Sequence, residues 1–561
     1  WWNCQNNPNC NSDEYSTYSI PDIIINWPAH GPQGGYDMYL APFWDNNNDG
    51  YYNPYDGDFP YFEFPNDSIT DDIDCLKPRN KRQALKGDQA IWFVFNDAGK
   101  EHTNSGSEPI GMEIRAIAYA YATNTPLNDL TFYNYEIINR STETLYDAYV
   151  GFWTDVDLGY AKDDYIGCDV QRGLGYAYNG DNNDETAEGI AGYGASPPAV
   201  GIDIFEGLFQ DPDGQDNTSS YEIIDGVKTL NCSLGDIMNG NINGLNFQDE
   251  IIDNERWGAT NFMHFYGGWT GAEPNTIPPV EKEDYYNYLS SHWIDGTHLL
   301  YGGTGHYSGG GNVDVPTNFL FPGNPTSDIC GYGQNGVVMP GWSEETESNS
   351  KGDRRFIISN GPVTFYPGAV NNISMGVVYG RAINGDNYQS VEVMKRVDDM
   401  AQNLFDNCFR VLEGPDAPNL TIIESDKKLI FHLVNKSSSN NYLAQYSEKD
   451  YNLKCDQNIS PCDEYYKFQG YQVFQLKNPD VDLLKDKHNS DLVKQVFQCD
   501  IKDSLGVITN FIYDYENAQY IPQIEVYGEN NGISQTFVIE KDMFSLTNDT
   551  LVNQKDYWYT A

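Results

Sequence analysis

Between residues 88 and 153 the chain carries four apolar runs in quick succession: Ala90–Phe95, Gly111–Tyr121, Leu130–Ile138 and Tyr146–Trp153. Each is rich in β-branched and aromatic residues, and each is bounded by turn chemistry such as Thr123-Asn124-Thr125-Pro126 and Asn139-Arg140-Ser141. Strand–helix–strand units would need a 3.6-residue period between the runs, and none is present. The spacing therefore predicts antiparallel hairpins of a β-sandwich. Strand signals resume at Arg355–Ser359, Val363–Tyr366 and Ile373–Tyr379, so a distant part of the chain is expected to close the sandwich. Apolar residues at Val391, Met394, Val397, Ala401, Leu404 and Phe405 recur at helical spacing and predict a helix over Ser390–Phe409 that packs one face. The Gly-, Asn- and Asp-rich stretch at about 173–352 has few periodic segments and is expected to form loop elaborations.

At 561 residues the chain exceeds the roughly 250 to 300 that one core supports, so more than one domain is expected. Residues 1–86 suit a loop-rich cap, and 87–412 the sandwich with its insertion. Gly414-Pro415-Asp416-Ala417-Pro418 forms a stiff hinge, and 413–561 form a second domain. Strand patterns at Leu420–Glu424, Lys428–Val434, Gly470–Leu476 and Thr536–Glu540 mark the latter. Its end, with Leu551 six residues before Tyr557, resembles fibronectin type III domains, in which such a Tyr makes the tyrosine corner. One more strand follows in that fold, whereas this sequence stops at Ala561; a truncated chain, or an edge supplied by a neighbour, is the expectation. The fold class predicted is mainly β: an antiparallel β-sandwich with long loop insertions and one helix, followed by a fibronectin type III-like β-sandwich.

Charge and chemistry narrow the function. Against 33 Lys and Arg stand 82 Asp and Glu, a net charge of -49, and such a field repels phosphate backbones and excludes nucleic acid as a partner. The content of 39% hydrophobic and 14% aromatic residues is too high for a disordered chain. No apolar run reaches the roughly 18 residues a membrane helix needs, so no membrane span is expected. Ten cysteines, with Cys4/Cys10 and Cys455/Cys462 each spaced to close a small loop, suit an oxidising compartment. The other six are too scattered to pair by spacing. The start at Trp1-Trp2-Asn3-Cys4 is what an exported, processed chain leaves.

The most specific motif is Asp45-Asn46-Asn47-Asn48-Asp49-Gly50-Tyr51-Tyr52-Asn53-Pro54-Tyr55-Asp56. Calcium takes six to eight hard oxygens, and a twelve-residue loop supplies them from alternate places around a turn that needs Gly sixth. The loop resembles those of dockerins and thrombospondin type 3 repeats. The resemblance implies Asp45, Asn47, Asp49 and Asp56 as side-chain ligands, Tyr51 as carbonyl donor and Asn53 as the ninth-place ligand. No helix can follow through Gly57-Asp58-Phe59-Pro60, unlike in a dockerin. A second acidic group, Asp155, Asp157, Asp163, Asp164 and Asp169, is a further candidate calcium site, because carboxylates packed this densely repel unless a cation screens them. Asn179–Glu185 reads as a solvated turn. His292, His298 and His306 match no zinc spacing, and Ser308 lacks the glycine of a nucleophile elbow. No catalytic residue is assigned. Trp257, Tyr266, Trp269 and Trp293 are expected to pack in the loops, with sugar stacking as the alternative.

Gly87–Asp97, Thr154–Gly159 with Asp163–Asp169, Gly175–Asp181, Ser390–Asp406 and the Gly414–Pro418 hinge together resemble large secreted surface proteins of Bacteroidota. The resemblance implies export by the type IX secretion system, with the sorting domain not in this sequence, and an extracellular or outer-surface location. Ser68, Ser504 and Thr550 lie in Asp-Ser/Thr-aliphatic triplets similar to those O-glycosylated in that group. The expected function is a non-catalytic structural or adhesive surface protein stabilised by calcium, whose partners are other surface proteins, glycans or copies of itself. The alternatives are a polysaccharide-binding or polysaccharide-degrading secreted protein and a subunit of an extracellular filament.

Overall fold

The computed structural model describes residues 20–30, 41–61, 87–97, 100–122, 126–218, 220–224, 227–233, 243–266, 275–406, 414–449, 465–481, 483–487, 489–514, 519–545 and 549–561. The chain divides into two compact units, one running to Cys408 and the other from Phe409 to Asp514 and Gln519 to Ala561.

The first unit is built on a seven-stranded antiparallel sheet. Its strands are β1 (Gln89–Asn96), β2 (Met112–Ala120), β3 (Thr131–Asn139), β5 (Asp164–Asp169), β6 (Leu174–Asn179), β7 (Ala199–Glu206) and β10 (Val370–Gly380), in the order β1-β2-β3-β10-β7-β6-β5. A three-stranded sheet, β8-β9-β4, lies over one face, with β4 at Leu145–Asp155, β8 at Asn261–Tyr266 and β9 at Arg354–Phe365. The hydrophobic runs at 90–95, 111–121, 130–138 and 146–153 all form strands. The runs at 355–359 and 363–366 are one strand, whose register shifts between Asn360 and Val363, where Pro362 has no N–H to give to the ladder.

The 173–352 stretch differs from expectation, because it supplies β6, β7 and β8, two of them inside the large sheet. Every residue of β5 and β6 is buried, since this part of the sheet is covered on both faces. The alternation that betrays a half-buried strand is therefore absent, and Gly and Ala stand where neighbours press close. A Cβ at Gly175 would come within 2.5 Å of the Phe262 ring, which fixes how near the two sheets approach. Ile166, Ala177, Ile202 and Ile373 from the large sheet share one core with Phe262, Phe356 and Ile358 from the small one.

Helix α1 (Lys282–Leu289) packs beside the small sheet, and helix α2 (Asn387–Asp406) covers the other face of the large sheet. The six apolar positions read from the sequence all point inward from α2. Gly380 permits the approach, since a Cβ there would come within 2.3 Å of the Met394 amide nitrogen. Cys232 is disulfide-bonded to Cys330, while the Cys168 thiol is free and buried beneath β5, reaching only the Leu320 carbonyl. Cys4, Cys10, Cys75, Cys408, Cys455 and Cys462 lie outside the described residues.

The second unit is a β-sandwich of two three-stranded sheets. β11 (Asn419–Ser425), β12 (Lys428–Val434) and β17 (Thr536–Ile539) form one, in that order. β13 (Gly470–Leu476), β14 (Val493–Asp500) and β18 (Trp558–Thr560) form the other, with β13 central, and β15 (Val507–Asp514) pairs with β16 (Gln519–Tyr527) as a separate hairpin. Leu551 is buried beside Phe431 and Ile539, and the Tyr557 hydroxyl accepts the Val552 N–H at 2.8 Å, tying the chain back on itself as a tyrosine corner does.

Among the buried polar groups, Arg354 and Glu344 form a bidentate ion pair that is almost wholly out of solvent, with Nη2 to Oε2 at 2.7 Å and Nε to Oε1 at 3.0 Å. Removing one partner strands the other's charge, which costs about 3–5 kcal/mol. Glu344→Gln is therefore expected to lower the first unit's stability by about that amount in chemical denaturation. The exposed Lys162–Glu188 pair serves as the control, and Glu188→Gln should leave the midpoint unchanged.

Candidate metal centre

The loop from Asp45 to Asp56 is wound by its own side chains. Asp45 accepts the Asp49 N–H at 3.2 Å through Oδ1 and the Gly50 N–H at 2.7 Å through Oδ2. Asn47 Oδ1 also accepts from Asp49 N–H, at 3.0 Å, and Asp49 Oδ1 accepts from Tyr51 N–H at 2.8 Å. These turns roll Asp45, Asn47 and Asp49 onto one side, and Gly50, at φ +79°, makes the left-handed step that a side chain would strain. Asn53 donates to Asp56 at 2.6 Å. Asp58, which the motif does not include, is fully buried and clamps the loop by accepting the Asn46 and Asn53 amides at 2.9 and 2.8 Å. The loop offers the hard oxygens a calcium site takes, from its first, third and fifth places around a tight turn, although among the described residues its aspartates do not already stand as a group of three around one point.

The five aspartates of the second group do not meet at one point. Asp155 pairs with Arg355 at 2.8 Å, and Asp157 lies out beside Asp353. Asp164 and Asp169 stand at opposite ends of β5, about 16 Å apart at the usual strand rise, and Asp169 is held by Arg172 at 2.9 Å and Lys395 at 3.1 Å. Asp163 and Asp164 are joined instead by Asp184, from the turn that reads in sequence as solvated. Asp184 accepts the Tyr160 N–H at 3.0 Å and the Tyr193 N–H at 2.6 Å, and it presses on Gly159, where a Cβ would stand 1.8 Å from its Oδ2.

This corner is buried and short of donors. Asp164 is 0% exposed, and no described residue makes a well-formed hydrogen bond to either of its oxygens. The same holds for Asp163 Oδ1 and for Oδ1 of Asn179, which faces Asp164 across the strand pair. Burial first, and the Asp163 charge second, push the Asp164 carboxyl up to about 9; the Leu158 amide and Arg354 offset this only in part. Burial likewise raises Asp163 to about 6. The nearby cations are committed, Lys351 to Asp181 and Arg354 to Glu344. Buried carboxylates without partners are costly unless they carry a proton or a cation. Three carboxylates and an amide oxygen are the donor set a hard cation takes. Among the described residues, no three His, Cys, Asp or Glu side chains already stand at coordinating distance of a single point, so binding an ion here needs the side chains to draw inward.

The histidines have other work. The His292 and His298 rings pack edge to face at 4.7 Å. His306 Nδ1 lies 2.6 Å from Ser308 Oγ and its Nε2 lies 3.1 Å from Asp295, an array with the outline of a hydrolytic triad. Nδ1 also accepts the Ser308 amide at 3.2 Å, however, so the ring caps the short Tyr307–Gly309 turn, and Asn275 shares Nε2. Trp293 is fully buried, with its indole N–H on the Gly305 carbonyl, and Tyr266 lies under Arg354; these aromatics pack. Trp269 and Ser68 lie outside the described residues, whereas Ser504 is exposed in a turn. No protein-family model, curated protein or solved structure matches this chain.

The raised Asp164 value has a measurable sign. Without a cation, the folded chain keeps this proton up to about 9, whereas the unfolded chain releases it near 3.8, so this group's contribution to stability is present at low pH and is lost as pH rises through that window. Thermal melts in chelator are expected to fall between pH ~5 and ~8, with Asp164→Asn flattening the decline. An identical slope in the variant would remove Asp164 as the cause.

Proposed function

We propose that this chain is a non-catalytic structural or adhesive protein of the cell exterior, whose loops are braced by calcium at Asp45–Asp56 and at Asp163, Asp164 and Asp184. The observation that carries the reading is the fully buried Asp164 carboxylate, which has no well-formed hydrogen bond among the described residues and stands beside two further aspartates. A divalent ion there would neutralise charge that Lys351 and Arg354, paired with Asp181 and Glu344, offset only in part. The net charge of -49 supports the same reading, since a divalent-rich exterior screens such a surface. Export by the type IX route, a Bacteroidota origin and O-glycosylation at Ser504 and Thr550 belong to this proposal through the sequence resemblance. Its partners are other surface proteins, glycans or further copies of the chain.

The packed state of Trp293 and Tyr266 favours this reading over a sugar-stacking one. The His306–Ser308 contact is assigned to capping.

Elemental analysis of protein dialysed against micromolar calcium is expected to find bound calcium, and EDTA to lower the melting temperature. At a hundredfold excess over the dissociation constant, each site adds about 2.7 kcal/mol. Bound calcium should drop on Asp49→Asn and, separately, on Asp164→Asn. Metal-free protein with a melting curve indifferent to EDTA would end the calcium proposal. A fluorophosphonate probe should leave Ser308 unlabelled, and a Ser308 adduct seen by peptide mass spectrometry would replace the non-catalytic reading with a hydrolase.

A further inference from the structure

A second pair of buried carboxylates lies on the opposite face of the large sheet, away from the corner already described. Asp203 projects from β7 toward α2, and Asp398 projects from α2 toward the sheet. They are 1% and 2% exposed and lie within reach of each other. Apart from that mutual contact, no described donor satisfies either oxygen of Asp203 or Oδ1 of Asp398 in good geometry; the Ile204 amide, which also reaches the Gly173 carbonyl at 3.3 Å, and the Arg172 charge offset the burial of Asp203 only in part. Both carboxylates line a polar cavity of about 450 Å³, whose wall also carries Gln171, Arg172, Thr326 and Gln402.

The surrounding charges are already spent. Arg172 donates through Nη1 to Asp169 at 2.9 Å and, through Nε and Nη2, to Asp399 at 2.8 and 3.0 Å. Lys395 sits on Asp169 at 3.1 Å. Asp169, Asp203, Asp398 and Asp399, with Asp406 on the same cavity wall, thus outnumber the two cations Arg172 and Lys395, and burial raises the Asp203 and Asp398 carboxyls above the usual carboxylate range. A helix and a sheet do not press two like charges together in a dry interface without something between or beside them. The cavity has room for a hydrated ion, and its walls offer amide and hydroxyl oxygens.

We propose that Asp203 and Asp398 hold a hard divalent cation of the calcium class, with the remaining coordination positions filled by water and open to this cavity. The site pins α2 to the centre of the large sheet through the ion, where apolar packing at Val391, Met394 and Val397 already holds the first half of the helix. It depends neither on the Asp45–Asp56 loop nor on the Asp163–Asp184 corner.

Native mass spectrometry of the full chain at saturating calcium, repeated on Asp203→Asn with Asp398→Asn, tests it. The double variant is expected to carry one calcium fewer than the parent. In EDTA, Asp398→Asn alone should melt at or above the parent, because it removes one of two like charges; in calcium it should melt below it. An unchanged calcium count, or a loss of stability equal with and without calcium, would overturn the inference and leave the pair as an acid and a carboxylate sharing one proton. If the asparagine variants do not fold, Asp203→Ser serves for the same count. The two readings fail separately: calcium lost only on Asp49→Asn or Asp164→Asn leaves the bracing proposal standing and removes this one, and the converse pattern does the reverse.

Discussion

The buried pair of Arg354 and Glu344 ties together both sheets of the first unit. Arg354 opens β9 in the small sheet and lies over the Tyr266 ring of β8 at 4.4 Å. Glu344 belongs to the long segment before β9, and its Oε1 also accepts the Ile166 N–H of β5, the edge of the large sheet, at 3.0 Å. One ion pair therefore joins both sheets to the segment that links β8 and β9. Such a pair gives little net stability, since desolvating two charges costs about what their attraction returns, but it tolerates no other partner. Its effect is to hold β5 and the chain around Asp164 in a single register.

The interior acids of this chain divide by how they are balanced. Asp58 and Asp328 are buried but held by backbone amides, Asp328 through Tyr332 and Gly333 at 2.7 and 3.0 Å, and these are structural. Asp169 is matched by Arg172 and Lys395. Both oxygens of Asp164 and of Asp203, and Oδ1 of Asp398, have neither kind of partner in good geometry among the described residues. With 82 acidic residues, density alone separates none of these cases. What separates them is whether the fold points an N–H or a cationic side chain at each oxygen.

That distinction explains what was legible beforehand. Strands such as β2 and β3 showed themselves because one or both ends of the run meet turn residues and the side chains are β-branched or aromatic. β6 and β7 did not, because Leu174–Asn179 and Ala199–Glu206 are covered on both faces and mix Gly and Ala with large residues to fit the contacts above and below. The turns of the Asp45–Asp56 loop are legible because their hydrogen bonds are local, with Asp45, Asn47 and Asp49 accepting from backbone N–H groups two to five residues on. The meeting of Asp184 with Asp164, and of Asp203 with Asp398, depends on strand pairing and on the seat of a helix 195 positions further along, and no local pattern records it. The helix itself was legible in type and face, beginning three residues earlier than its apolar period suggests.

The Cys168 thiol illustrates a consequence of the same double coverage. Burial drives its acidity far down, so the thiolate that would attack a disulfide is not formed once β5 is seated. In the folded unit it is therefore a spectator to the Cys232–Cys330 bond. Before the sheet closes that protection is absent, and the thiol is as open to exchange as any other cysteine of the chain. Closing β5 thus shields the thiol from exchange, and the fold acts as its own protecting group.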